Sequence, residues 1–323
     1  MMKRKALPLV MVSQIQRSGG TMMSQLFDHH PELCAHFFEI YTGYPNKWDW
    51  IDFEFSEPPY VWFEKMYCAQ FDQYVEQGGY KKTASNAFAH TELFPFTYCK
   101  EAHRAAFIDY LESSPVITNR VVYDAYFFSF FNEWKDGVRG ENPKYITGFT
   151  PRLTMEPGRA ERFFRDYPDG WLISQVRNPL SWYVSAKKHS AYYQVFEHAQ
   201  RDWLLSVQRA LELKSRYPDQ VMLLTYESIV SDPEKVMRYI SSKLGIEYDP
   251  VLTKPTYAGY ELYPNSSYNI NVKGVVDRTS ERIKDLEPED ERRIKEFMLP
   301  AYETFKAHVD IQEPQGQSSM CTA

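Results

Sequence analysis

Much is missing from this 323-residue chain, and each absence narrows what it can be. Its cysteines, Cys34, Cys68, Cys99 and Cys321, are scattered and form no C-x-x-C pair. That fits four free thiols in a reducing cytosol better than a disulfide framework or a zinc site. No apolar run approaches the length of a membrane span. Basic residues are not in excess: 37 Lys and Arg face 43 Asp and Glu, a net charge of −6. A protein wrapped in nucleic acid would not carry that balance. Lys3-Arg4-Lys5 before a short apolar run imitates a secretory leader, but no small-residue cleavage site follows. The run reads as a first strand. No internal repeat is visible.

What remains is a globular composition, 43% apolar and 16% aromatic, long enough to bury a large core. The aromatics concentrate between Phe37 and Trp134. The chain is organised around Gln16-Arg17-Ser18-Gly19-Gly20-Thr21. Leu7 to Ser13 leads in as a buried strand, and Thr21 to Phe27 leads out as a helix. Strand, small polar loop and helix make an anion cradle. Glycines let backbone N–H groups curl inward, the helix adds its dipole, and Ser18 and Thr21 add hydroxyls. Arg17 adds a permanent charge. The ATP-type loop, G-x-x-x-x-G-K-[ST], is absent, because no lysine follows Gly20. That argues against a nucleoside triphosphate with Mg²⁺. A tight strand-to-helix turn without a ligand would have the same local look.

Glu32 to Glu39 reads as a second strand. In an open parallel sheet its carboxyl end faces the same crevice as the loop, with His36 and Glu39 as its ionisable residues. Residues 41–140 read as an inserted helical cap, with helices near Val61–Glu76, Leu93–Ser113 and Asn119–Trp134. Most of its aromatics are expected to pack the cap onto the core. Strands follow at Tyr145–Phe149, Trp171–Val176 and Val221–Tyr226. Arg177 stands at the carboxyl end of the second of these, and Asn178-Pro179 opens a helix there. Ser231-Asp232-Pro233 starts a helix that Gly245 ends. A polar loop, 265–278, precedes a final helix from Pro288 to Ala307, and 314–323 is a polar tail, expected to be disordered. Strands and helices alternate on both sides of the insert. This predicts an α/β fold: three layers around a central parallel sheet, in one domain over 1–313.

Arg17-Ser18-Gly19-Gly20-Thr21 after strand one, with Val176-Arg177-Asn178-Pro179 and Ser185 eight residues beyond the arginine, resembles the sulfotransferases. Leu223-Leu224-Thr225-Tyr226-Glu227-Ser228 through Asp232-Pro233, and Leu244-Gly245, add to the likeness. So does His30-Pro31-Glu32 followed by Phe37-Phe38-Glu39, which is similar to the segment bearing the catalytic carboxylate in carbohydrate sulfotransferases. The likeness spans Leu7–Glu39 and Tyr145–Leu244, and the cap has no match. It implies the P-loop-like sulfotransferase fold. It also implies a donor, 3′-phosphoadenosine 5′-phosphosulfate (PAPS), with adenosine 3′,5′-bisphosphate as product and no metal. Arg17 through Met22, with Ser18, Gly19, Gly20 and Thr21, would hold the 5′-phosphosulfate. Arg177 and Ser185 would hold the 3′-phosphate. Lys273-Gly274 faintly resembles the segment that closes over the nucleotide.

Where many relatives have lysine, this chain has Arg17, and Gly20 replaces a hydroxyl residue. Arg17 would stabilise charge on the transferring group. The acceptor hydroxyl must lose a proton, and Glu39 is the first choice of base. His36 is the second, because a histidine serves in other branches of the family, and His90 and His103 follow. The implied acceptor is a glycan or a small-molecule alcohol, in a cytoplasmic protein whose oligomeric state is left open and is compatible with a homodimer. A nucleotide kinase or NTPase, or a non-catalytic nucleotide-binding protein, is the alternative.

Overall fold

A computed structural model describes residues 6–40, 42, 49–67, 97–135, 142–261 and 272–311. Five strands, β1 (Leu9–Val12), β2 (Leu33–Glu39), β3 (Tyr145–Phe149), β4 (Trp171–Val176) and β5 (Val221–Thr225), form one sheet in the order β2-β3-β1-β4-β5. All its pairings are parallel, with Val10 opposite Trp171 and Leu9 opposite Ile146. The central strand β1, Leu-Val-Met-Val, is buried on both faces, which is why it reads as a continuous apolar run.

Side chains alternate across this sheet and build a core on each face. On one face Val10, Val12, Leu33 and Ala35 pack with Met23, Leu26 and Phe27 at the end of α1 (Gly20–Leu26). Ile229 of α8 (Tyr226–Ser231) and Met237 of α9 (Pro233–Leu244) complete that layer. On the other face Leu9, Met11, Cys34, Ile146 and Leu172 join a larger, aromatic-rich cluster. It draws on α2 (Pro59–Met66), α3 (Lys100–Glu112), α4 (Asn119–Glu133), α5 (Arg159–Asp166), α6 (Pro179–His189) and α7 (Phe196–Arg216). The result is three layers, with helices on both faces of one parallel sheet.

Three helices of the inserted stretch thus share the sheet's own core, as Val122, Tyr123, Phe127 and Phe130 of α4 illustrate. The expected helix at 61–76 is described as α2, ending at Met66, and 68–76 lie outside the described residues. Likewise α3 begins at Lys100, and 93–96 lie outside them. The long helix α7 was not anticipated. The expected final helix is two, α11 (Pro288–Phe297) and α12 (Leu299–Lys306), after a short α10 (Thr279–Ile283). Pro300 causes the break, since it lacks the N–H that would reach back one turn. A small hairpin, β6 (Thr256–Tyr257) and β7 (Tyr260–Glu261), turns through Ala258 and Gly259, both at positive φ.

His103 of α3 shows how this aromatic layer holds itself. Its ring is fully buried among Phe63, Tyr126 and Phe130. Nε2 lies 3.0 Å from the Tyr126 carbonyl, which can only accept, so Nε2 carries the proton. Nδ1 then accepts from Tyr98 Oη at 2.6 Å. Burial pushes the imidazole down to about 3. Between that value and about 6.5, where the unfolded ring titrates, only the unfolded chain takes the proton. Stability therefore falls as pH falls. From pH 7 to 5.5 this residue alone is expected to cost about 1 kcal/mol. Urea unfolding should show His103→Phe losing that much less than the parent chain over the same interval. An identical loss in both would show that His103 does not control the response.

Candidate active site

After β1 the chain turns to the β2 side of the sheet, and after β4 it turns to the β5 side. The carboxyl ends of β1 and β4 therefore flank the topological switch point, where open α/β sheets leave a crevice for ligands. The loops that follow these two strands are in direct contact.

The first loop is bent by two left-handed residues, Arg17 (φ 70) and Gly19 (φ 93). Arg17 is not a glycine, so this conformation costs about 1–2 kcal/mol. In it, the Arg17 carbonyl accepts from Arg177 Nη1 at 3.2 Å, and Arg17 Nε donates to Ser185 Oγ at 3.2 Å. Neither glycine can be replaced in place. A Cβ on Gly19 would lie 2.6 Å from the Tyr226 ring, and one on Gly20 would lie 1.9 Å from Gln14 Nε2 and 2.3 Å from Phe149. Two further bonds pin the loop: Gln175 Nε2 donates to the Ser18 carbonyl at 2.7 Å, and Trp182 Nε1 to that of Gln16 at 2.9 Å. Ser18 is buried, and Thr21 and Met22, at the head of α1, are half-buried.

Arg177 follows β4 and is 2% exposed. Its Nε donates to Ser181 Oγ at 2.9 Å, and its guanidinium lies 4.4 Å from the centre of the Tyr226 ring. Its Nη2 is buried and has no hydrogen-bond partner among the described residues. Ser185, one turn beyond Ser181 on α6, is buried. A third guanidinium, Arg282 of α10, is 7% exposed. Desolvation and Arg282 push Arg17 down to about 10. Desolvation chiefly, with Arg282 and Arg17 adding, pushes Arg177 down to about 10 as well. Both remain charged at neutral pH. The nearby carboxylate, Glu227, is itself raised by burial. Three cations around one carboxylate leave local positive charge that a multiply charged anion would offset.

Among the described residues, several buried polar atoms without partners stand at this edge. Besides Arg177 Nη2 they include Ser13 Oγ, Gln14 Oε1, Ser18 Oγ, Thr150 Oγ1 and Gln175 Oε1. All stand at or just beyond the carboxyl ends of β1, β3 and β4. Leaving such groups unmatched costs free energy, so a cluster of them makes this edge a candidate site for a polar ligand or ordered water.

Glu39 ends β2 and is half-buried. The β2–β3 register shifts between Ala35, opposite Thr147, and Glu39, opposite Phe149. Glu39 stands two strands from β1, about 9–10 Å along the sheet edge. His36 is 3% exposed and packs on α4, with its ring 4.8 Å from Phe130 and 6.0 Å from Phe127. Its ring joins the aromatic layer. His90 lies outside the described residues. Between Glu39 and Arg17, the turn after β3 contributes Arg152 (φ 66), whose guanidinium donates to Gln16 Oε1, Tyr193 Oη and Asp202. Lys273 is exposed, and Gly274 (φ 102) borders open space. The late segment instead brings Arg282 to the arginines. Sequence reasoning missed Arg282 and Ser181, and it named Glu227 only within the family-like segment, without a role. Ser181 had a usable signal, standing one helical turn from Arg177. Arg282 sits in a charged, surface-like stretch and had none.

A family model described as the sulfotransferase family matches residues 8–250. Among solved structures, the chain is similar to the sulfotransferase domain from the curacin biosynthetic pathway, at 15% identity and a TM-score of 0.48, covering 91% of this chain and 98% of that one. It is similar to a sulfotransferase from Alicyclobacillus acidocaldarius, at 16% identity and TM-score 0.45, over 95% of this chain and 98% of that one. It is also similar to retinol dehydratase in a complex with retinol and PAP, at 12% identity and TM-score 0.39, over 96% and 85%. No curated protein matches the chain in sequence. Among the described residues no helix is long and apolar enough to cross a membrane.

Proposed function

The chain belongs to the sulfotransferase family, and from that premise we propose that it moves a sulfuryl group from PAPS to an acceptor hydroxyl, with Glu39 as the base. The observation that carries this reading is Arg177 Nη2, buried without a partner beside Arg17 and Arg282. A 3′-phosphate on a nucleotide supplies the acceptor that this group lacks.

The nucleotide, when bound, supplies the sulfuryl group and a phosphate as leaving group. Arg177 and Ser185 hold the 3′-phosphate, with Arg282 adding charge. The loop from Arg17 through Met22 holds the 5′ end. Arg17 opposes the negative charge that grows as the sulfur–oxygen bond breaks, the electrostatic part of the rate. Because arginine keeps its proton, it acts by charge and hydrogen bonding rather than as an acid. Glu39 takes the acceptor's proton from the far side of the gap. Lys273 and Gly274 lead into Arg282, and we read them as part of the segment that closes over the nucleotide. The helices of the insertion share the sheet's core, which supports reading the chain as one catalytic unit.

Among the described residues most aromatics of the insertion are buried, so the acceptor class rests on the crevice beside Glu39. It suits a small-molecule alcohol or a sugar hydroxyl. Incubation with PAPS and a panel of sugars, phenols, sterol-like alcohols and alkyl alcohols, read by mass shift, tests the reading. A sulfated product from an alcohol is expected. Phosphate transfer from ATP·Mg²⁺ with no sulfated product would overturn it.

A further inference from the structure

Arg177 can grip a phosphate only if its guanidinium is already aimed, and the residues that aim it lie behind the crevice. Ser181 accepts from its Nε at 2.9 Å. Glu227 accepts from the Asn178 backbone N–H, 3.2 Å to each oxygen, and its Oε1 lies 3.5 Å from Ser181 Oγ. The same carboxylate accepts from Tyr302 Oη at 2.8 Å. Tyr302 belongs to α12, at the far end of the sequence. Trp203 of α7, whose ring lies 6.4 Å from that of Tyr302, donates Nε1 to the Arg177 carbonyl at 3.1 Å. Backbone and side chain of Arg177 are thus both tied down, and Nη2 alone is left over.

We infer that Ser181, Glu227 and Tyr302 form a relay of positioning residues that presets Arg177 for the 3′-phosphate, so that the C-terminal helix α12 helps set nucleotide affinity without touching the nucleotide. This rests on the assignment of Arg177 to the 3′-phosphate. The relay runs from the Tyr302 hydroxyl to the Glu227 carboxylate, and from there to Asn178 and Ser181 at the head of α6. Losing the tyrosine hydroxyl leaves a buried carboxylate short of one donor. Losing the serine hydroxyl leaves the guanidinium held by its Nη1 bond to the Arg17 carbonyl and its contact with Tyr226, one aiming bond fewer.

Isothermal titration of the full chain with adenosine 3′,5′-bisphosphate and with adenosine 5′-monophosphate tests this in Tyr302→Phe and, separately, Ser181→Ala. Each variant should bind the bisphosphate about fivefold to tenfold more weakly, near the net worth of one ordinary hydrogen bond, while monophosphate affinity stays within about twofold. In an Arg177→Ala background neither change should have a further effect, since the aimed group is gone. Equal losses for both nucleotides, or losses that add to that of Arg177→Ala, would overturn the relay. Should the parent chain not distinguish the two nucleotides, the fault would lie with the 3′-phosphate assignment instead. Tyr302→Phe removes a single hydroxyl, so it remains testable if Ser181→Ala does not fold.

Discussion

Glu39→Gln should lower turnover by at least about 100-fold while bisphosphate affinity stays within about twofold. The change keeps the size and removes the basicity. Its expected effect is large because an alcohol is a poor nucleophile until its proton is taken. Nucleotide affinity should be spared because Glu39 ends β2, two strands from β1 and three from β4. The position also divides the labour along the sheet edge. Reading from β2 to β5, the order is carboxylate, β3 turn, Arg17 loop, Arg177, Tyr226 and Glu227. On the proposed reading, the base would stand at one side and the anion-binding residues at the other, with the reacting atoms between them. Steady-state rates with PAPS, together with titration of the bisphosphate, check this. Unchanged turnover would remove Glu39 from the mechanism, and a loss confined to affinity would recast it as a binding residue.

Arg177→Ala should weaken bisphosphate binding by about 1.5–3 kcal/mol, or about 10- to 150-fold. The side chain offers charge and an unmatched donor in a desolvated place, where a charge-assisted bond is stronger than in water. It also carries a structural bond, Nη1 to the Arg17 carbonyl. The variant should therefore also loosen the first loop, and the urea midpoint reports that part. Adenosine 5′-monophosphate separates the two contributions: its affinity should fall only by what loosening the loop costs. Equal binding of the bisphosphate by parent and variant would place the second anion site elsewhere.

The elements that frame the site were legible because their signals are local. Trp171–Val176 and Tyr145–Phe149 are short apolar strands with clear stops. Arg17 to Thr21 is a polar, glycine-bearing turn between strand and helix. Arg177 sits where a strand ends and Pro179 permits a helix to start. The helix α7 was missed although its spacing was legible: Phe196, Ala199, Trp203, Val207, Ala210 and Leu213 recur at three and four residues, and all are buried. What could not be read was set by contacts distant in sequence. Arg282 becomes a buried cation only when α10 packs on α6. The register shift that places Glu39 opposite Phe149 is a property of pairing with β3. The burial of His36 follows from α4, a helix about ninety residues further along the chain.

Titration of the parent chain with adenosine 3′,5′-bisphosphate, adenosine 5′-monophosphate and ATP·Mg²⁺ bears most directly on the central claim, that two adjoining turns grip the two phosphate-bearing ends of one adenosine. The bisphosphate should bind at least about tenfold more tightly than either of the others, the equivalent of one charge-assisted contact. Preference for ATP·Mg²⁺, or equal affinity for the bisphosphate and the monophosphate, would contradict it.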